Sequence, residues 1–281
     1  MSLKPTRICI SSNENPDYIQ FWPVVASAWA KLGFQPLLAL VTDKDKEQWE
    51  WMEEFGEVFR FRENPNIPSG NWAKLARWSL YGKYENEISI VSDLDMIPMQ
   101  RDYFLELPPD YNPEKHLILK GADAYGDREN HGDTLQKTHV TEKFPGCYMT
   151  AKGSVWRDIL KMDSYPSLED WAKQYYDISI YDQKEGVNFP YTTFSEESLM
   201  RVVVLRWDEK GEKTIRLGRP GGWRWGPDQD GLRIDRSAWP NAAGWKLMGF
   251  TEDKKYPETI RVGHYIDAHL LRPLHEVKEH I

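Results

Sequence analysis

The chain of 281 residues carries 44 acidic against 36 basic side chains, a formal charge of −8, which argues against broad electrostatic binding to nucleic acid, since that needs a basic face. Apolar residues make up 40%, with 13 Trp, 14 Tyr and 10 Phe, ample material for a core, so intrinsic disorder is excluded. Two cysteines, Cys9 and Cys147, lie far apart without C-x-x-C spacing, so neither a disulfide framework nor a structural zinc site is expected.

No apolar run approaches the roughly 18 residues that span a bilayer. The apolar stretch Ile8–Ile10 ends at once in Ser, Asn and Glu, unlike a signal-peptide core, and a soluble cytoplasmic protein is the expectation. Thr6–Ser12 reads as a short buried strand that closes in a polar cluster, Ser11 to Asn15. Asp17–Leu32 has helical spacing through Ile19, Trp22, Val25, Ala26 and Trp29, with Gly33 as its C-cap. Gln35–Val41 is a second strand, Lys44–Phe55 has helical spacing, and Glu57–Phe61 is strand-like. This β-α-β-α-β order predicts a parallel sheet with crossover helices.

A loop rich in Pro and Asn, Arg62 to Gly70, leads to a helix capped by Asn71 and running to about Tyr84, with Trp72, Leu75, Ala76, Ser79 and Leu80 on one side. Glu87–Met96, EISIVSDLDM, is the most strand-like run of the chain and is closed by Pro98. His116–Lys120 and Cys147–Thr150 are further strands around a polar segment, Gly121 to Pro145. Helices follow at Ser154–Met162, Leu168–Tyr176 and Ser195–Leu205. Gly218–Gly231, dense in Gly, Pro and Trp, is irregular. The tail Thr259–Pro273 holds a short strand and then HYIDAHLLRP. With no internal repeat and no clear linker, a single domain over 1–281 is expected.

Asp93-Leu94-Asp95 ends the apolar strand, where open α/β sheets place their ligands. Residues two apart in a strand share a side, so both carboxylates are expected to face one cleft and Leu94 the core. Two such oxygens suit Mg²⁺ or Mn²⁺, which in turn bind substrate phosphates.

VSDLDMIPM after a β-α-β half resembles the D-x-D motif of the GT-A-fold glycosyltransferases. The resemblance implies a GT-A-like, Rossmann-like α/β fold with a mostly parallel central sheet flanked by helices. It implies a nucleotide-sugar-binding half over 1–99 and an acceptor-binding half over 100–281, with a C-terminal tail that contacts metal and phosphate. The activity implied is metal-dependent transfer of a sugar from a nucleoside-diphosphate sugar, UDP-sugar favoured, to a hydroxyl of a glycan or other acceptor. Carried over, Asp95 would ligate the cation, Mn²⁺ (or Mg²⁺), and Asp93 would contact the donor ribose or sugar, or the metal through water. Ser11, Ser12 and Asn13 occupy the place of nucleoside contacts, Lys74 and Arg77 approach the donor, and Arg272 reaches the phosphates. His264, after the strand-like TIRVG, would complete the metal shell, with His269 five residues on as the alternative.

An inverting transferase also needs a carboxylate to take the acceptor proton. Glu196 and Glu197 open a helix in TTFSEESLM; Thr193-x-x-Glu196 doubles as a capping box, which points to Glu197 as the base and Glu196 as structural. Asp123, just after a strand, is a further candidate for contacting donor or acceptor. Trp223 and Trp225 offer rings that stack on sugar faces. Among rival readings, a D-x-D phosphohydrolase normally has Thr or Val where this chain has Ile97, and a chitinase-like D-x-D-x-E fails at the same residue. A non-catalytic carbohydrate-binding protein of the same fold would explain the aromatics but has no need of paired acids.

Overall fold

The computed structural model describes residues 3–122, 144, 146–174, 196–218, 233–234 and 266–270. The amino-terminal strands are β1 (Pro5–Asn13), β2 (Gln35–Val41), β3 (Glu57–Phe61) and β4 (Ile88–Val91). They pair in parallel in the order β3-β2-β1-β4. β6 (Leu117–Lys120), β7 (Met149–Lys152) and β8 (Thr214–Leu217) extend the sheet to seven strands, in the order β3-β2-β1-β4-β7-β6-β8. β7 runs antiparallel to both β4 and β6, and β6 pairs in parallel with β8. The expected α/β class with a mostly parallel central sheet is therefore what the chain adopts.

Helices cover both faces, so the central strands are buried on both sides and read as continuous apolar runs; β4 (ISIV) is buried at every position. One face carries α2 (Trp22–Lys31) and α4 (Arg101–Leu105), with Trp22, Trp29, Phe34 and Phe104 in a single apolar cluster. The other carries α3 (Ser69–Tyr81), α5 (Gly153–Leu160), a helix over 168–174, termed α6, and α7 (Glu196–Trp207). Trp72, Trp78, Trp156 and Trp171 pack there. Each fully buried aromatic ring removes about 150–250 Å² from water, a gross gain of roughly 4–6 kcal/mol. Most described tryptophans are thus core residues; Trp51, at 44% exposure, and the partly buried Trp207 are the exceptions. Neither Cys9 nor Cys147 is in a disulfide.

Several elements differ from expectation. The helix expected over Asp17–Leu32 is two helices, α1 (Pro16–Ile19) and α2, because Pro23 lacks the N–H that a continuous helix would need and sits instead in the first turn of α2. Its end is as expected: Gly33 takes φ +85°, its N–H donates to Ala30 O at 2.9 Å, and Phe34 N–H reaches Trp29 O at 3.1 Å. That is a Schellman motif, accompanied by a 5.2 Å edge contact between the Trp29 and Phe34 rings. Lys44–Phe55 forms two short 3₁₀ turns rather than a helix, since only Trp49 and Met52 of its middle are buried. α3 starts at Ser69, with Pro68 rather than Asn71 at its cap. β8 is a strand that the sequence reading did not anticipate.

The most consequential difference concerns the paired acids. β4 ends at Val91, and Ser92 to Asp95 turn the chain, with Ser92 N–H donating to Cys9 O and Met96 N–H to Asp93 O. Strand alternation therefore does not aim the two carboxylates. The chain continues as β5 (Met96–Pro98), which leaves the large sheet for a small one with β9 (Arg233–Ile234) and β10 (Asp267–His269), in the order β5-β10-β9. Leu94 does face the core, at 4% exposure. Among the described residues no helix is long and apolar enough to cross a membrane.

Candidate functional site

The strand order reverses between β1 and β4, and in open α/β sheets the crevice beyond the carboxyl ends of such a pair is where ligands bind. The end of β1 supplies Ser11, Ser12 and Asn13. The buried Ser12 hydroxyl donates to Asn13 O at 2.8 Å, and the Asn13 amide donates to Ser69 Oγ at 3.1 Å. The end of β4 supplies Asp93 and Asp95, and the antiparallel β7 brings in its leading residues, Gly146 and Cys147, at the same edge.

Asp93 and Asp95 have unlike surroundings. The Asp93 side chain is 41% exposed and faces Arg77, whose Nη1 donates to Asp93 Oδ1 at 2.8 Å and to Ser92 O at 2.6 Å. Arg77 Nη2 donates to both Glu196 oxygens, at 2.9 and 2.8 Å, and the Trp78 indole N–H donates to Glu196 Oε1 at 2.6 Å. Arg77 and Glu196 are almost wholly buried, with side chains 3% and 6% exposed. Burial, the largest influence, pulls the Arg77 guanidinium down; the charge of Glu196, with Tyr81 and Asp93, outweighs it and holds the group well above its ordinary value. Arg77 Nε has no hydrogen-bond partner among the described residues. Lys74, one turn earlier on α3, is exposed.

Asp95 is turned inward, its side chain 5% exposed, and its Oδ2 lies 3.5 Å from His269 Nε2. The backbone clamps this pair: His269 lies opposite Met96 in the β5–β10 ladder, and Leu270 N–H donates to Asp95 O at 2.8 Å. One oxygen and one nitrogen ligand at that separation can share a divalent cation. Among the described residues no group of three His, Cys, Asp or Glu side chains forms a ready metal cage. The pair fits a cation that takes its remaining ligands from phosphate and water, as Mg²⁺-type sites do.

Glu197 stands beside Asp93 across Gly146. Gly146 N–H donates to Glu197 Oε1 at 3.2 Å, and Phe144 N–H donates to the Glu197 carbonyl at 3.3 Å. A Cβ on Gly146 would lie 3.5 Å from Glu197 Oε1 and 3.9 Å from Asp93 Oδ2, so the two carboxylates flank a gap that a glycine leaves open. The structure thus brings together Asp93, Asp95, Arg77, Glu196 and Glu197 with His269, the alternative to His264, and adds Gly146. Asp123, His264, Arg272, Thr193, Trp223 and Trp225 lie outside the described residues. Gly146 carried a signal in the sequence, a glycine directly before a strand at the sheet edge; the pairing of Arg77 with Glu196, 119 residues apart, carried none.

Fold and site together define an α/β protein whose acidic, partly buried crevice lies at a topological switch point. No protein-family model and no curated protein matches the chain. Similar solved structures include the glycosyltransferase GlyE of Streptococcus pneumoniae TIGR4, at 12% identity and TM-score 0.42, over 76% of this chain and 46% of that one. They also include the galactosyltransferase LgtC in complex with donor and acceptor sugar analogues, at 14% identity and TM-score 0.43, over 94% of this chain and 86% of that one. An active-site mutant of LgtC is similar at 14% identity and TM-score 0.44. The chain spans less than half the length of GlyE. Likeness at this level carries no argument about activity, and the α/β class rests on the strand pairings themselves.

Proposed function

We propose that the chain is a metal-dependent glycosyltransferase that moves a sugar from a nucleoside-diphosphate sugar, UDP-sugar favoured, to a hydroxyl of a glycan or other acceptor, with inversion. The observation that carries the reading is the Asp95–His269 pair, 3.5 Å apart, set beside the half-exposed Asp93 and the partly buried Glu197 at the switch-point edge. Asp95 and His269 would hold the cation, and the imidazole nitrogen favours Mn²⁺ over Mg²⁺. When bound, the cation supplies Lewis-acid stabilisation of the departing diphosphate.

The remaining work falls to the chain. Ser11, Ser12 and Asn13 line the end of β1 where the nucleoside would lie, and the exposed Lys74 stands one turn from Arg77, ready to meet phosphate charge. Asp93, pinned through Oδ1, keeps Oδ2 for a hydroxyl of the donor. Glu197, held through Oε1 by Gly146 N–H, is the carboxylate placed to take the proton of the acceptor hydroxyl. The rival reading, a non-catalytic carbohydrate binder, loses its main support because the described tryptophans are mostly core residues.

Calorimetry with Mn²⁺ and UDP or GDP tests the reading. Wild type is expected to bind one nucleotide only when Mn²⁺ is present. Asp95→Asn should lose that binding at least 10-fold while its melting temperature stays within about 4 °C, roughly a 1 kcal/mol change. Nucleotide binding indifferent to EDTA, or unchanged in Asp95→Asn, would overturn it; sugar binding indifferent to EDTA would favour the non-catalytic binder.

A further inference from the structure

We infer that Glu196 and Arg77 are positioning residues, a buried ion pair that fixes the orientation of Asp93 so that one carboxylate oxygen is pinned and the other is offered to the crevice. What Asp93 touches rests on the transferase reading; how Asp93 is held rests on the geometry alone. An aspartate that is 41% exposed in a turn ordinarily samples several rotamers. Here Oδ1 is bound at 2.8 Å by Arg77 Nη1, and that nitrogen is itself anchored at 2.6 Å to Ser92 O. The other arm of the guanidinium is gripped by both oxygens of Glu196, and Glu196 is in turn fixed by the Trp78 indole.

Every part of this chain of contacts except its last member is buried. Burying two charges is costly and a hydrophobic pair of similar size would often hold α3 against α7 as well. α3 and α6 already meet through the edge contact of Trp78 and Trp171 rings, 5.9 Å apart. The ion pair is therefore better explained by what it orients than by what it stabilises. A planar fork is needed because two carboxylates on different elements must be held at once, which a lysine ammonium does not reproduce. Asp93 Oδ2, without a hydrogen-bond partner among the described residues, then faces the Gly146 gap, towards Glu197.

The test uses Glu196→Gln and the double variant Arg77→Met/Glu196→Gln, both of which keep an acceptor for the Trp78 indole. Ligand-free crystal structures and calorimetry with Mn²⁺ plus UDP, and then Mn²⁺ plus UDP-glucose or UDP-galactose, are the readouts. The double variant is expected to melt within about 5 °C of wild type, because charge is removed from both partners. Asp93 should turn away from its wild-type orientation. UDP affinity with Mn²⁺ should stay within threefold, whereas the affinity that the sugar adds over UDP alone should shrink at least 10-fold and turnover at least 100-fold. Asp93 keeping its orientation without the guanidinium, or turnover returning with stability in the double variant, would overturn the inference. Should the double variant not fold, the same readouts on Glu196→Gln decide. Wild type that binds no nucleotide sinks the transferase reading instead, and the orientation of Asp93 still decides the positioning role.

Discussion

Lys120 closes β6 with only 3% of its surface exposed, and its ammonium donates to the carbonyls of Tyr103 and, at 3.0 Å, Glu106, where α4 ends. α4 follows β5, and β5 pairs with the strand that carries His269, so this clamp steadies the outer wall of the crevice. Burial, working against the pull of Glu106, lowers the Lys120 pKa from 10.5 to about 8. Below about pH 8 the lysine is charged in both folded and unfolded chains, and the cost of burying the charge is present in full. Between about 8 and 10.5 the unfolded chain keeps the proton while the folded chain has released it, so stability rises with pH across that window. The gap of about 2.5 units amounts to roughly 3 kcal/mol as an upper bound. Urea denaturation of wild type and Lys120→Met at pH 7.5, 9 and 10.5 provides the assay, because alkaline effects common to both proteins cancel in the difference. The stability of wild type relative to the variant should climb by up to about 3 kcal/mol from the first pH to the last. A difference flat to within about 0.5 kcal/mol, well below the single-residue effects measured by this method, would refute the account of a buried, desolvated ammonium.

Two further outcomes follow from the contacts around the crevice and behind it. Glu197→Gln should lower kcat by about 10²–10⁴-fold while the affinity for Mn²⁺ and UDP changes less than twofold, since only proton transfer is touched; unchanged kcat in steady-state assays would place the base elsewhere. Gly153→Ala would set a Cβ 2.7 Å from the Tyr84 carbonyl carbon and 2.9 Å from Glu85 Cα, both backbone atoms. It should cost about 2–3 kcal/mol in urea denaturation, and a variant as stable as wild type would show that the start of α5 has room to move.

The strands at the centre of the sheet were legible because burial on both faces leaves no alternation to misread: LLALV in β2 and ISIV in β4 are unbroken apolar runs. Elements that touch the core with one or two residues were not. Lys44–Phe55 has helical spacing, but with Trp49 and Met52 as its buried anchors it gains too little from packing to complete a helix. β8, half-buried beside β6, has no alternation strong enough to stand out. The position of Asp93 and Asp95 at a sheet edge was readable from the apolar strand before them, yet their aim was not, since it comes from a turn and from two partners remote in sequence. Arg77 shares a helix face with Lys74 by spacing alone, and only the packing of α3 against the start of α7 tells that one is buried on a carboxylate and the other exposed.

The arrangement of strands explains why the crevice draws on so much of the chain. β4 has a parallel neighbour on one side and an antiparallel one on the other. At its carboxyl end it therefore meets the end of β1 but the beginning of β7. An all-parallel sheet would place only strand-to-helix turns at this edge; the reversal brings in the residues leading into β7, and with them the Gly146 N–H that holds Glu197. The same turn that ends β4 sends β5 out to pair with β10, about 170 residues away along the chain. Pairing at that separation is entropically late to form. Asp95 and His269 thus come together only once β10 has docked on β5, and a cation held by that pair would depend on two segments about 170 residues apart. Residues from both sides of position 99 therefore meet at this edge: His269 lies against Asp95, and Arg77 reaches across to Glu196, next to Glu197.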